Sequence, residues 1–124
     1  MAFTLDPEFA AVFAPFAEAL AGVTLPPAGD VIGRRGAFEG FQRRMHGAIP
    51  WPDDVTVTDY SVAAADGTQL LLRWYTKAGS QPGSAVYYVH GGGMILSNVE
   101  IYDGPVARYV SASGVPFLAV EYRY

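Results

Sequence analysis

Cysteine is absent from the 124 residues, which excludes disulfides, thiolate metal ligands and a cysteine nucleophile. Histidine is scarce: His46 and His90 cannot build a His-rich metal centre without carboxylate help, and neither a metal nor an organic cofactor is implied. Positive charge is also in short supply. Eight Lys and Arg against twelve Asp and Glu leave a net charge of -4, and the basic residues are scattered apart from the pairs Arg34-Arg35 and Arg43-Arg44. A nucleic-acid binder normally shows a basic patch, so that class is disfavoured. No apolar run approaches the ~20 residues of a membrane span. Asp6 and Glu8 stand where an export signal would carry Lys or Arg, so a soluble, cytoplasmic protein is expected. What the chain does have is apolar side chain, 51% of its residues. That is too much for a disordered tail, and the length suits one small domain or a piece of a larger one.

The pattern changes near Pro50. Residues 1–49 read as a helical segment rich in Ala, Phe and Gly, and residues 50–124 as strands with one further helix. Asp6-Pro7-Glu8 is a helix start: an N-cap acceptor, a proline in the first turn, then an acid near the positive end of the dipole. Phe9, Val12, Phe13, Phe16 and Leu20 follow at offsets of 3, 4, 7 and 11, one apolar stripe on a helix. The stripe reads either as core packing or as a lid over an apolar site. Pro15 should kink this helix, and Gly22 and Pro26-Pro27 should end it. Asp30 caps a second helix running to about His46, with a thin apolar face of Ile32, Phe38, Phe41 and Met45. Gly33, Gly36 and Gly40 each weaken it by ~1 kcal/mol relative to Ala. Its paired arginines are expected on a solvated face, and His46 in a structural role at the helix end.

Val55 to Val62 alternates Val-Thr-Val-Thr, a strand with one wet face, and Asp66-Gly67 turns it into a returning strand over Leu70 to Thr76. After a loop at Gln81-Pro82-Gly83, Ala85 to Val89 is continuously apolar, as expected for a strand buried on both faces. His90-Gly91-Gly92-Gly93 follows at once. Asp103-Gly104-Pro105 is expected to open a helix, capped by Gly114, and Phe117 to Val120 is a second buried strand. Strand, glycine-rich loop, helix, strand is a βαβ unit, so the fold class is α/β, with an antiparallel hairpin ahead of a parallel unit.

Three successive glycines after a strand are costly in backbone entropy, so bare backbone must be needed there. A phosphate cradle is one use. Met94 and Ile95 stand where a P-loop would carry Lys and Ser or Thr, and Leu96 stands where a dinucleotide fingerprint needs Gly. A nucleotide-binding module therefore ranks last. The other use is an oxyanion hole, where amide N–H groups face a developing alkoxide.

The run Tyr88-Val89-His90-Gly91-Gly92-Gly93 resembles the HGGG signature of α/β-hydrolase lipases and esterases. Ile101-Tyr102-Asp103 and Glu121-Tyr122-Arg123 resemble the tyrosine-aspartate before the first core helix and the acidic-Tyr-Arg end of the fourth strand in the hormone-sensitive-lipase-like branch. Pro52-Asp53-Asp54-Val55, Asp66-Gly67-Thr68 and Leu72-Arg73-Trp74-Tyr75 are similar to that branch's opening hairpin. The resemblance implies a partial α/β-hydrolase fold: an N-terminal helical cap over 1–49, then the first four strands and first core helix over 50–124. It implies that the amides of Gly92 and Gly93 donate to the oxyanion, that Gly91 shapes the turn, and that His90 is loop scaffold, not the triad base. Tyr102 and Asp103 would position the core helix. Phe9, Phe13, Phe16 and Met94 would contact a hydrophobic small-molecule ester.

The chain departs from the family in one respect. None of Ser61, Ser80, Ser84, Ser97, Ser111 and Ser113 lies in G-x-S-x-G, and the family's acid and base come later still. The expectation is the N-terminal part of a carboxylesterase, truncated before the nucleophile elbow and inactive without a complementary C-terminal segment. The alternative is a non-catalytic protein that self-associates or binds a partner through the exposed edge of its third strand.

Overall fold

The computed structural model describes residues 4–21 and 24–124; the expected stop signal at Gly22 lies outside them. Helix α1 runs Pro7–Leu20 and helix α2 Val31–Gly47. The hairpin strands are β1, Val55–Ala63, and β2, Gln69–Lys77. Strand β3, Val86–Val89, helix α3, Val99–Ser113, and strand β4, Phe117–Val120, complete the chain. The sheet order is β1-β2-β4-β3: β1 and β4 flank β2 antiparallel, and β3 joins β4 in parallel through α3. Among the described residues no helix is long and apolar enough to cross a membrane.

Local chemistry accounts for the element boundaries. The Asp6 carboxylate accepts from the amides of Glu8 and Phe9 at 2.9 and 3.3 Å, with Pro7 in the first turn. Asp30 accepts from the Gly33 amide at 2.9 Å, and a Cβ at Gly33 would collide with that same carboxylate. The hairpin closes through Gly67, whose φ of +84° suits only glycine comfortably, and its register runs unbroken from Val55↔Lys77 to Ala63↔Gln69. Gly114, with φ of +71°, ends α3 in the left-handed cap that its sequence position suggests.

The core lies between α3 and one face of the sheet. Val99, Val106, Ala107 and Val110 of α3 pack on Val55, Tyr75 and Ala119, all buried. Tyr88 and Tyr102 close its rim. Each fully buried valine here is worth about 1.5–3 kcal/mol relative to exposure. Beneath the core, Asp103 accepts from Tyr75 Oη at 2.5 Å and from Arg73 Nη1 at 2.7 Å. Arg73 also grips Asp59 through two contacts of 2.7 Å.

Several expectations need correction. Helix α3 begins at Val99, four residues before Asp103, because Asn98 caps it by accepting from the Ile101 amide at 2.8 Å. Pro105 therefore sits inside the helix. Its missing N–H would have bonded the Ile101 carbonyl, and His46 Nδ1 takes that oxygen instead at 2.7 Å. Strand β3 is not buried on both faces: Tyr88 packs against the core on the α3 side, while Tyr87 at 63% and Val89 at 56% exposure lie on the face that no helix among the described residues covers. In β1, the other edge, only Val55 is buried. Helix α1 does not join the core; its Phe9, Val12 and Phe13 are exposed. Ile32 of α2 faces solvent at 73% exposure, while Arg34 and Arg35, expected in solvent, are half-buried.

Candidate active site

The loop 90–98 links the C-terminal end of β3 to the N-terminus of α3. His90 opens it, buried between two tyrosines: ring centroids lie 4.3 Å from Tyr122 and 5.8 Å from Tyr102, both stacked. Tyr122 Oη donates to the His90 carbonyl at 2.9 Å. His90 Nδ1 lies 2.9 Å from the Gly91 carbonyl, which requires the proton on that nitrogen for a hydrogen bond. Nε2 has no hydrogen-bond partner among the described residues and lies 3.8 Å from Glu121 Oε1. The ring is enclosed, with His90 only 3% exposed.

The glycines differ from one another. A Cβ at Gly91 would stand 3.1 Å from Tyr102 Oη. Gly92 has φ of +141°, and a Cβ there would overlap the Leu96 carbonyl oxygen. That overlap exists because the chain doubles back: the Gly92 carbonyl accepts from the amides of both Ile95 and Leu96 at 3.2 Å. Gly93, with φ of +60°, meets nothing within 4 Å. The next residue, Met94, repeats the left-handed conformation with φ of 60° and is 73% exposed. Among the described residues the amides of Gly92 and Gly93 donate to no protein acceptor. Two N–H groups on this turn thus have no acceptor among the described residues, a condition that oxyanion donors must meet.

The rest of the loop is pinned from two sides. Glu121 Oε2 accepts from the Val99 amide at 2.7 Å, placing an acid at the start of α3. Tyr124 Oη donates to the Ser97 carbonyl at 2.6 Å. From α2, Arg35 Nε donates to the Ile95 carbonyl at 2.8 Å, and Glu39 Oε1 accepts from the Ser97 amide at 2.9 Å. Arg35 and Glu39 were not singled out from the sequence. The available signal was a polar stripe at helical spacing, Arg35, Glu39, Gln42 and His46, on a helix whose apolar face is thin.

His90, Gly91, Tyr102 and Tyr122 come together at the loop. The aromatic stripe of α1 does not join them. Phe9, Phe13 and Phe16 line a cavity of about 280 Å³ with Phe41 and Met45, next to a second of about 470 Å³ lined by Phe16, Leu25, Phe38 and Phe41. Met94 lines neither cavity. Burial pushes Tyr88 up to about 12 and raises Tyr122 and Tyr124.

No protein-family model matches the chain. It is 32% identical over 92 residues to ethyl acetate hydrolase of Pseudomonas putida, which covers 72% of this chain and 28% of that enzyme. It superimposes on bacterial heroin esterase with a TM-score of 0.76, at 25% identity over 97% of this chain and 36% of that one. An esterase of the bacterial hormone-sensitive lipase family shares the fold, with a TM-score of 0.64 at 21% identity over 98% of this chain and 36% of that one. The strand order, the βαβ unit and these superpositions define a partial α/β-hydrolase fold. In sequence and fold the chain is similar to the N-terminal part of these esterases. It spans about a third of the length of the relatives it matches, consistent with an N-terminal esterase segment.

Proposed function

We propose that this chain supplies the oxyanion-hole loop and the helical cap of a carboxylic-ester hydrolase. The observation that carries the reading is the pair of unclaimed amides at Gly92 and Gly93, held on a turn that only glycine can make at position 92. Attack on an ester carbonyl turns its oxygen into an alkoxide, which these N–H groups receive. One such donor is worth roughly 3–4 kcal/mol at the transition state. His90 and Gly91 hold the loop, and the cap over 1–49 contributes the apolar cavities between α1 and α2. A hydrophobic small-molecule ester suits those linings, and the related ethyl acetate hydrolase acts on a small ester. The serine nucleophile, its base and the orienting acid are supplied by residues outside these 124, in a complementary C-terminal segment. The reading calls for neither metal nor organic cofactor, and a cytoplasmic location is part of it.

The test is turnover of p-nitrophenyl acetate or butyrate. The 124-residue chain alone is expected to show none, and addition of a complementary C-terminal hydrolase segment to restore it. A burst of product from the chain alone, blocked by a serine reagent, would refute the reading. The exposed apolar edge of β3 supports a second reading, self-association or partner binding by strand pairing. A monomer in size-exclusion chromatography at high concentration would count against self-association.

A further inference from the structure

We propose that Arg35 and Glu39 of α2 are positioning residues that set the direction of the Gly92 and Gly93 amides. The inference rests on the oxyanion reading of that loop and names what holds it in shape.

Arg35, Glu39, Gln42 and His46 recur at offsets of 4, 7 and 11, so they share one face of α2. That face meets residues 95–101, the end of the loop and the first turn of α3: Arg35 at the Ile95 carbonyl, Glu39 at the Ser97 amide, His46 at the Ile101 carbonyl. The Arg35 guanidinium also lies 4.5 Å above the Tyr124 ring, and Tyr124 Oη holds the Ser97 carbonyl. Residues 95–97 are therefore gripped at three successive backbone points by groups far away in the chain.

The grip is needed because Ser97 is strained. It is fully buried with φ of 80°, a left-handed conformation unusual for a residue with a Cβ. Such a conformation persists only where its surroundings over-determine it. The strain passes to the glycines directly, since Ile95 and Leu96 both donate to the Gly92 carbonyl. Moving 95–97 rotates the Gly92–Gly93 peptide plane, which carries the Gly93 N–H, and through the Gly92 Cα pulls on the preceding plane that carries the Gly92 N–H. Another face of α2 presents Phe38 and Phe41 to the apolar cavity of about 470 Å³. One helix thus touches both the cavity that suits an acyl chain and the turn that suits its oxyanion.

Site-resolved amide hydrogen exchange on the 124-residue chain tests this. Arg35→Met and Glu39→Leu should each speed exchange at Ile95, Leu96 and Ser97 by about tenfold, the loss expected for a hydrogen bond to a charged group. Amides of β2 and β4 should keep wild-type rates. Glu39→Gln retains an oxygen that can accept from Ser97 and should restore protection. Unchanged exchange in the loop, or an equal acceleration throughout the chain, would overturn the proposal. In the ester-hydrolysing form, assembled with a complementary segment, Arg35→Met should lower kcat about tenfold and leave KM alone. A wild-type assembly that never turns over an ester sinks the catalytic reading while the exchange result still decides the clamp.

Discussion

Alanine at Gly92 and alanine at Gly93 are the same chemical change one residue apart, yet the loop geometry assigns them different costs. At Gly93 the backbone sits in the left-handed well at φ of +60°, with no atom within 4 Å of the new methyl group. The cost is the left-handed penalty of about 1–2 kcal/mol, offset in part by the lower entropy of the unfolded alanine chain, for a net loss of about 1 kcal/mol. At Gly92 φ is +141° and the methyl group would overlap the Leu96 carbonyl oxygen, a backbone atom that cannot swing aside. Relief requires the 92–96 turn to open. It then gives up the two bonds that Ile95 and Leu96 donate to the Gly92 carbonyl. Two hydrogen bonds at about 1 kcal/mol each, plus backbone strain of about 1–3 kcal/mol, bring Gly92→Ala to about 3–5 kcal/mol. Thermal unfolding of each variant, followed by the fluorescence of Trp51 and Trp74, measures the difference. At about 4–8 °C per kcal/mol, Gly93→Ala should lower Tm by several degrees and Gly92→Ala by well over ten. Equal shifts for the two variants would show that the turn does not close as described.

Two further outcomes follow from the core. His46→Leu leaves the Ile101 carbonyl without a partner and should cost about 1–3 kcal/mol; in a Pro105→Ala background the restored backbone N–H can serve that carbonyl, so a double-mutant cycle should show coupling of about 1 kcal/mol, and strict additivity would refute the link. Stability should also depend on pH at both ends of the range. Burial, and then the hydrogen bond to Asp103, raise the Tyr75 phenol, so its contribution is complete below the unfolded value of about 10 and is lost as pH rises through the folded one. The hydrogen bond from Arg73 lowers Asp59, so that contribution is present above about pH 4 and is lost as pH falls through the folded value. Urea midpoints against pH should form a plateau with both limbs, and Tyr75→Phe should flatten the alkaline one.

Much of the architecture was legible before the fold was known, and the parts that were share a property: their causes lie within a few residues. Asp6 and Asp30 cap helices through amides two or three positions away. Gly67 and Gly114 are placed by the backbone angles of their own turns. The glycine triplet after an apolar strand carries its meaning in its spacing, and the βαβ order follows from the sequence of elements. What the sequence by itself could not decide depends on residues that meet only after folding. The apolar run of β3 reads as buried, but a strand is buried only if something covers it, and α3 covers just one of its faces. Asp103 looks like a helix start because it precedes Gly-Pro. Its carboxylate is instead engaged with Arg73 and Tyr75, and Asn98 and Glu121 start the helix earlier. Arg35 looks like one of a solvated pair, and only the packing of α2 on residues 95–101 carries it to a carbonyl 60 positions away. A hydrogen bond over that separation depends on how whole elements pack, and helical periodicity alone does not encode it.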